Sequence, residues 1–215
     1  MKPDSVEIRV LGCLVEKQRT TPDVYPLTLN ALRLACNQAT NRDPVVDYDE
    51  ATVTEALGRL RARRWVRVAS MPGRRTVKYR HLLDEALGLD DPELALLTVL
   101  MLRGPQTPGE LKQRADRLHG FADLGGVQDG LEVLVDRGLA SRLERRAGEK
   151  QARYGQTLSG EAGEEGPDGA SSTDASATVD ATGDLTARVE RLERELATLR
   201  AELADLRRRE TSAPG

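Results

Sequence analysis

Apolar residues recur at helical spacing from the start of the chain. Ile8, Leu11 and Val15 form a stripe at i, i+3, i+7 that predicts a helix over residues 5–18. Thr20, Thr21 and Pro22 break it, offering a cap and then a proline at a first helical position. A second helix is expected after Pro26, with Leu29, Leu32 and Cys36 on one face; residues 37–44 (NQATNRDP) carry turn chemistry. Asp49 can cap a third helix, whose buried stripe is Val53, Leu57 and Leu60. Short alternating segments at 65–68 and 77–80 then flank Pro72-Gly73 and read as a β-hairpin.

The same order returns. Leu94, Leu97 and Met101, with Leu96 and Leu100, mark a strongly apolar helix that Gly104-Pro105 ends. Thr107, Pro108 and Glu110 have the spacing of a capping box with proline at N1, and open a helix carrying Leu111, Ala115 and Leu118. Val127, Leu131, Leu134 and Val135 line a third helix that Gly138 terminates, and residues 139–143 and 153–158 form the next hairpin. Three helices followed by a hairpin are how a winged-helix domain is built. The expected fold is therefore mainly α with small β-hairpins (α+β): a winged-helix domain at 1–83 and a second at 84–160.

Residues 161–183 change to Gly, Ala, Ser, Thr and acids and read as a flexible linker. A heptad follows at 184–210. Val189, Leu196 and Leu203 fall at a; Leu185, Leu192, Leu199 and Leu206 fall at d. The g residues Arg188, Glu195 and Glu202 are opposite in sign to the e residues Glu193, Arg200 and Arg207 five places on. That charge pattern and leucine at every d suit a parallel two-stranded coiled coil, so these seven apolar residues are the expected dimerisation seam of a homodimer.

Charge divides the chain. Residues 1–83 hold 15 Lys/Arg against 9 Asp/Glu, for +6; residues 84–160 come to −3 and residues 161–215 to −6. A polyanion would therefore meet the first domain. No apolar run of about 18 residues occurs, and the first residues lack the uninterrupted apolar core of a signal peptide, so a cytoplasmic location without a membrane partner is expected. Cys13 and Cys36, the only two cysteines, lie far apart and outside any C-x-x-C pair, and Cys36 lies on an apolar stripe; no disulfide framework, metal or cofactor is expected. None of the phosphate-binding, dinucleotide, zinc-protease or serine-hydrolase motifs is present, and the two histidines, His81 and His119, are expected to serve surface or packing roles. The expectation is a non-enzymatic protein.

The chemistry-bearing surface is expected on the third helix. Thr52, Glu55, Arg59 and Arg63 fall on one face, opposite its apolar stripe; Arg can fork to guanine, Thr can meet a thymine methyl, and Glu can accept from cytosine. Arg74, Arg75 and Lys78 on the hairpin would grip flanking phosphates of double-stranded DNA. The plain alternative is a solvated arginine-rich face. The corresponding face of the second domain carries Asp129, Glu132 and Asp136, would repel DNA, and suits a protein partner.

Residues 12–45 (GCLVEKQRTTPDVYPLTLNALRLACNQATNRDPV) and 96–123 (LLTVLMLRGPQTPGELKQRADRLHGFAD) resemble the YceH-like family of bacterial proteins. The resemblance covers roughly residues 5–160 and implies a tandem winged-helix fold with a C-terminal coiled-coil segment; it carries no site residues. Its most recognisable part lies around the second helix, where Asn30, Asn37 and Gln38 either contact a ligand or tie the following loop to the body. Two functions remain in view: a DNA-binding, regulator-like dimer, or a protein-interaction adaptor that uses tandem winged helices without touching DNA.

Overall fold

Helix ends in this chain are set by short polar side chains placed where a run of free N–H groups begins. In the computed structural model, which describes residues 2–69, 76–145 and 151–160, Asp4 and Glu7 form a reciprocal capping box at the start of α1 (Ser5–Thr20). Thr28 caps α2 (Leu29–Cys36) and Asp49 caps α3 (Glu50–Ala62). Strand β1 (Leu27–Thr28) joins β2 (Val66–Val68) and β3 (Lys78–His81) in an antiparallel sheet of order β1-β3-β2. A short α4 (Leu83–Leu87) leads to α5 (Asp91–Arg103), α6 (Pro108–Ala115) and α7 (Leu124–Asp136), then to the hairpin of β4 (Ala140–Leu143) and β5 (Arg153–Gln156). The class is α+β, as expected. The linker, the heptad segment and hairpin residues Arg74 and Arg75 lie outside the described residues.

Several details differ from the sequence reading. Pro22 stands at the first position of a single 3-10 turn, Pro22–Val24, but the Thr21 side chain does not cap it, and α2, expected after Pro26, begins at Leu29. The intervening residues are held extended: Leu27 and Thr28 pair with Tyr79 and Lys78, and the Tyr25 hydroxyl accepts the His81 N–H at 2.8 Å. Strand β3 runs one residue beyond the expected 77–80, and His81 at its end takes the packing role of the two expected for it.

The two halves repeat the same local bonds. At the end of α3, Arg64 N–H donates to the Arg61 carbonyl and Trp65 N–H to that of Leu60, both at 3.0 Å. At the end of α7, Gly138 and Leu139 do the same to Val135 (2.9 Å) and Leu134 (2.8 Å). Each is a Schellman ending. Leu82 N–H then returns to the Trp65 carbonyl, as Thr157 N–H returns to that of Leu139. Asp90 and Glu93 repeat the capping box of Asp4 and Glu7. The isolated bridge from Gln106 to Tyr154 stands where β1 meets Tyr79. These bonds put the halves in residue-by-residue correspondence.

What joins them is α1 against α5. Both helices are buried along most of their length, Glu7 to Glu16 and Glu93 to Leu102; α5 is apolar nearly all round, whereas α1 buries Glu7, Arg9 and Glu16 as well. A side-chain carbon at Gly12 would sit 2.8 Å from the Leu102 side chain, so glycine there permits the close crossing. One leucine-rich core therefore runs from Ile8 to Ala140 across residues 83 and 84, and the described residues belong to one compact unit.

His81 shows how polar groups are held in this core. Its Nδ1 accepts the Leu83 N–H at 3.3 Å, so the ring proton sits on Nε2, against Gln18 Oε1. Burial pushes the imidazole down to about 4, opposed by Asp84. Because the folded value lies below the ordinary 6.5, the neutral ring contributes its full stability above pH 6.5. That contribution is lost as pH falls toward 4, about 3 kcal/mol in all. Urea unfolding across this window should show the loss, and His81→Gln, which installs the residue found at the matching place (Gln156), should flatten it.

Candidate nucleic-acid interface

Burial along α3 decides which of its cations face outward. Val53, Ala56, Leu57 and Leu60 are buried, and the exposed stripe is Ala51, Thr54, Glu55, Gly58 and Arg61. The expected reading face of Thr52, Glu55, Arg59 and Arg63 is therefore turned to the flank, because Ala56 is in the core as well. Thr52 is half-buried in the first turn, and Glu55 is exposed but bonded to Arg59 at 2.8 Å.

Arg59 and Arg63 turn toward the N-terminus of α1. Arg59 Nε donates to Glu7 at 3.2 Å and Nη2 to Asp4 at 2.6 Å. Arg63 Nε donates to the other oxygen of Glu7 at 3.2 Å, and its guanidinium lies 5.8 Å from the centre of the Trp65 ring. Glu7 is almost fully buried, so both cations help satisfy a carboxylate that water scarcely reaches. The second half repeats the device: Arg137, the counterpart of Arg63, donates to Glu93, the counterpart of Glu7, at 2.8 Å. A pair that recurs in the half whose α7 face is acidic belongs to the scaffold. Arg59 has all three nitrogens engaged, on Glu7, Glu55 and Asp4, and cannot fork onto a base edge without giving up a carboxylate; Arg63 is anchored to Glu7 through Nε alone.

Subtracting that shared scaffold leaves a different set. Arg61, Arg64 and Arg67 are exposed, and among the described residues none has a carboxylate within ion-pair distance. With Gly58, Val68 and Leu82 they line a shallow basin of about 590 Å³ between the end of α3 and β2. The register of the sheet extends the patch. Val66 opposes His81 on the inner side, so Arg67 and Arg80 oppose each other on the outer side, and Lys78 follows two residues along. Arg80 is held by Glu85 at 3.2 Å; Lys78 has no such partner among the described residues. Of the expected site, Lys78 thus stands with the outward cations, whereas Arg59 and Arg63 do not. Arg64 and Arg67 were missed because a helical wheel does not extend past the helix end, and Arg61, inside α3, because the wheel was centred on the Thr52–Arg59 face.

Arg64 carries a conformational cost. Its φ is +62°, in the left-handed region, where its counterpart Gly138 has +66°. Only glycine adopts this angle without a Cβ penalty. Arg64→Gly should raise stability by about 1 kcal/mol in urea titrations while weakening polyanion binding.

The amide cluster around α2 is engaged internally. Asn37 accepts from Tyr48 N–H at 2.9 Å and donates to its carbonyl at 2.8 Å; Gln38 accepts from Lys17 (3.2 Å) and Arg42 (3.1 Å). Asn30 accepts from Arg33 at 3.2 Å. Both cysteines are buried with free thiols, and Cys13 donates to the Ala35 carbonyl at 3.3 Å. Among the described residues there is no metal-binding cluster, and no helix is long and apolar enough to cross a membrane.

Comparison with known proteins places this surface in context. A family model described as a protein of unknown function, DUF480, matches residues 4–149. A UPF0502 protein of Pelobacter propionicus is 49% identical over 207 residues, covering 95% of this chain and 93% of the relative. A UPF0502 protein of Pectobacterium carotovorum is 43% identical over 210 residues, covering 94% and 97%. One from Geotalea daltonii is 51% identical over 160 residues, covering 74% and 73%.

Proposed function

The chain belongs to the DUF480 family, and from that premise we propose that it is a non-enzymatic, tandem winged-helix protein that grips double-stranded DNA through its first half. The observation that carries this reading is the surplus of Arg61, Arg64 and Arg67 at places where the second half has Val135, Gly138 and Ser141. Three guanidinium groups around one basin repel one another unless an anion lies between them. Their position, at the end of the third helix and on the first hairpin strand, is where a winged-helix domain meets the phosphate backbone. With Arg59 and Arg63 engaged at Glu7, the contact is to phosphates rather than base edges, so sequence preference is weak. Arg74 and Arg75, which fall between β2 and β3 in the sequence, would add phosphate contacts. Pairing of two chains through Leu185, Val189, Leu192, Leu196, Leu199, Leu203 and Leu206 would double the contacts.

The test is fluorescence anisotropy of the full chain with a labelled mixed-sequence duplex across roughly 50 to 200 mM salt. Three phosphate contacts give log K against log salt a slope of ~−3 or steeper per chain. No binding at the low-salt end would sink the proposal. The adaptor reading draws support from α7, where exposed Val133 stands among Asp129, Glu132 and Asp136 with no cation on the helix face. That reading gains if DNA binding is absent.

A further inference from the structure

A cavity of about 440 Å³ opens at the seam between the halves, within the range of small-molecule sites. One wall comes from α1 and from the loop that follows α2; the other comes from α5 and β5. Ile8, Leu100 and Met101 give it an apolar floor, and Pro44, Pro105 and Tyr48 add flat surfaces. Asp43 and Pro44 of the loop wall belong to the most recognisable stretch of the sequence, which the DNA reading leaves without a role.

Arg9 also lines this cavity, and it is 96% buried, with 4% of its surface exposed. Its Nη1 donates to the Cys36 carbonyl at 3.2 Å and its Nη2 to the Pro44 carbonyl at 2.6 Å. Among the described residues no carboxylate pairs with it. A buried charge ordinarily has a counter-ion. The Cys36 carbonyl ends α2, and a helix C-terminus supplies only about half a negative charge. Arg9 is not scaffold either: its counterpart in the second half is Ala95. The other charged groups on the wall do not neutralise it. Asp4 accepts the Glu7 N–H and pairs with Arg59, and Asp43 lies exposed at the rim. An exposed carboxylate at the mouth disfavours dianions. The hydroxyls of Ser5 and Tyr48 make no hydrogen bond to described residues.

We propose that this seam cavity binds a small organic monocarboxylate with a flat apolar body, the carboxylate on Arg9 and the body against Tyr48, Leu100 and Met101. Benzoate is the probe, with benzamide as its uncharged isostere and phenyl phosphate as the dianion. Methionine-methyl NMR of the full chain reports directly, because Met101 lines the cavity and the chain has two other methionines, Met1 and Met71, to compare it with. Benzoate should move the Met101 signal saturably and leave the other two in place, with benzamide and phenyl phosphate at least ~10-fold weaker, the loss of a charge-assisted bond. Arg9→Lys should weaken benzoate by a similar factor. Ser5→Trp, at an exposed position on the rim, should block it with the fold intact. Equal shifts with benzamide, no shift with benzoate, or binding unchanged in both variants would each overturn the proposal. Stronger binding of phenyl phosphate would replace the monocarboxylate with a phosphate ester and overturn the class.

Discussion

Glu16→Ala should destabilise the chain by about 3 to 5 kcal/mol in urea unfolding, a large part of what a domain of this size possesses. Glu16 lies on α1 with 1% of its side chain exposed, and Arg42, which grips it with both terminal nitrogens, has none exposed. Arg117, from the second half, reaches the same carboxylate from a more exposed position. Burial alone would raise the Glu16 pKa, but the Arg42 hydrogen bond and charge outweigh it and hold the carboxyl below its ordinary value. The stability this supplies is present above pH 4.5 and is lost as pH falls through the lowered folded value. Removing the carboxylate strands a buried guanidinium that also anchors the loop through the Ala35 and Asn41 carbonyls. Arg117→Ala should cost under about 1 kcal/mol by comparison. The double change Glu16→Leu with Arg42→Met should recover most of the loss, since an apolar pair of similar volume can replace a buried ion pair. A double variant as unstable as Glu16→Ala would count against this account.

Replacing Arg61, Arg64 and Arg67 together with alanine should weaken duplex binding on the order of 100-fold at low salt and flatten the salt slope by ~3. Arg59→Ala with Arg63→Ala should have the reverse profile: unfolding at lower urea, because Glu7 loses its partners, with the salt slope of the folded protein unchanged. The contrast separates binding from scaffolding within a single helix. If the Arg59/Arg63 pair instead carries the slope, α3 enters the groove along the flank and the basin at its end is incidental.

Much of the architecture is legible in the chain because its signals are local. Asp49, and Thr107 with Glu110, cap the helices they were expected to cap, since capping needs only side chains within one turn. Gly138 ends α7 as expected, through a bond to a residue three positions back. The face of α3 was not legible, because it depends on Glu7, 52 residues earlier than Arg59. A signal was nonetheless available in the repeat: aligning Asp4-x-x-Glu7 with Asp90-x-x-Glu93, and Arg63 with Arg137, marks the shared clasp. The seam was hidden for a different reason. Apolar residues all round α5 announce burial without saying against what, and its partner proved to be α1 rather than the helices of its own half alone.

The α1–α5 crossing has a consequence for the life of the chain before it is complete. A nascent first half emerging alone leaves the Gly12 side of α1, which packs against Met101 and Leu102, open to water until α5 follows some eighty residues later. Such a surface is adhesive, and the same holds for a proteolytic fragment cut near residue 83. The two halves are therefore expected to fold as one unit, and a fragment ending near residue 83 to aggregate where the full chain does not.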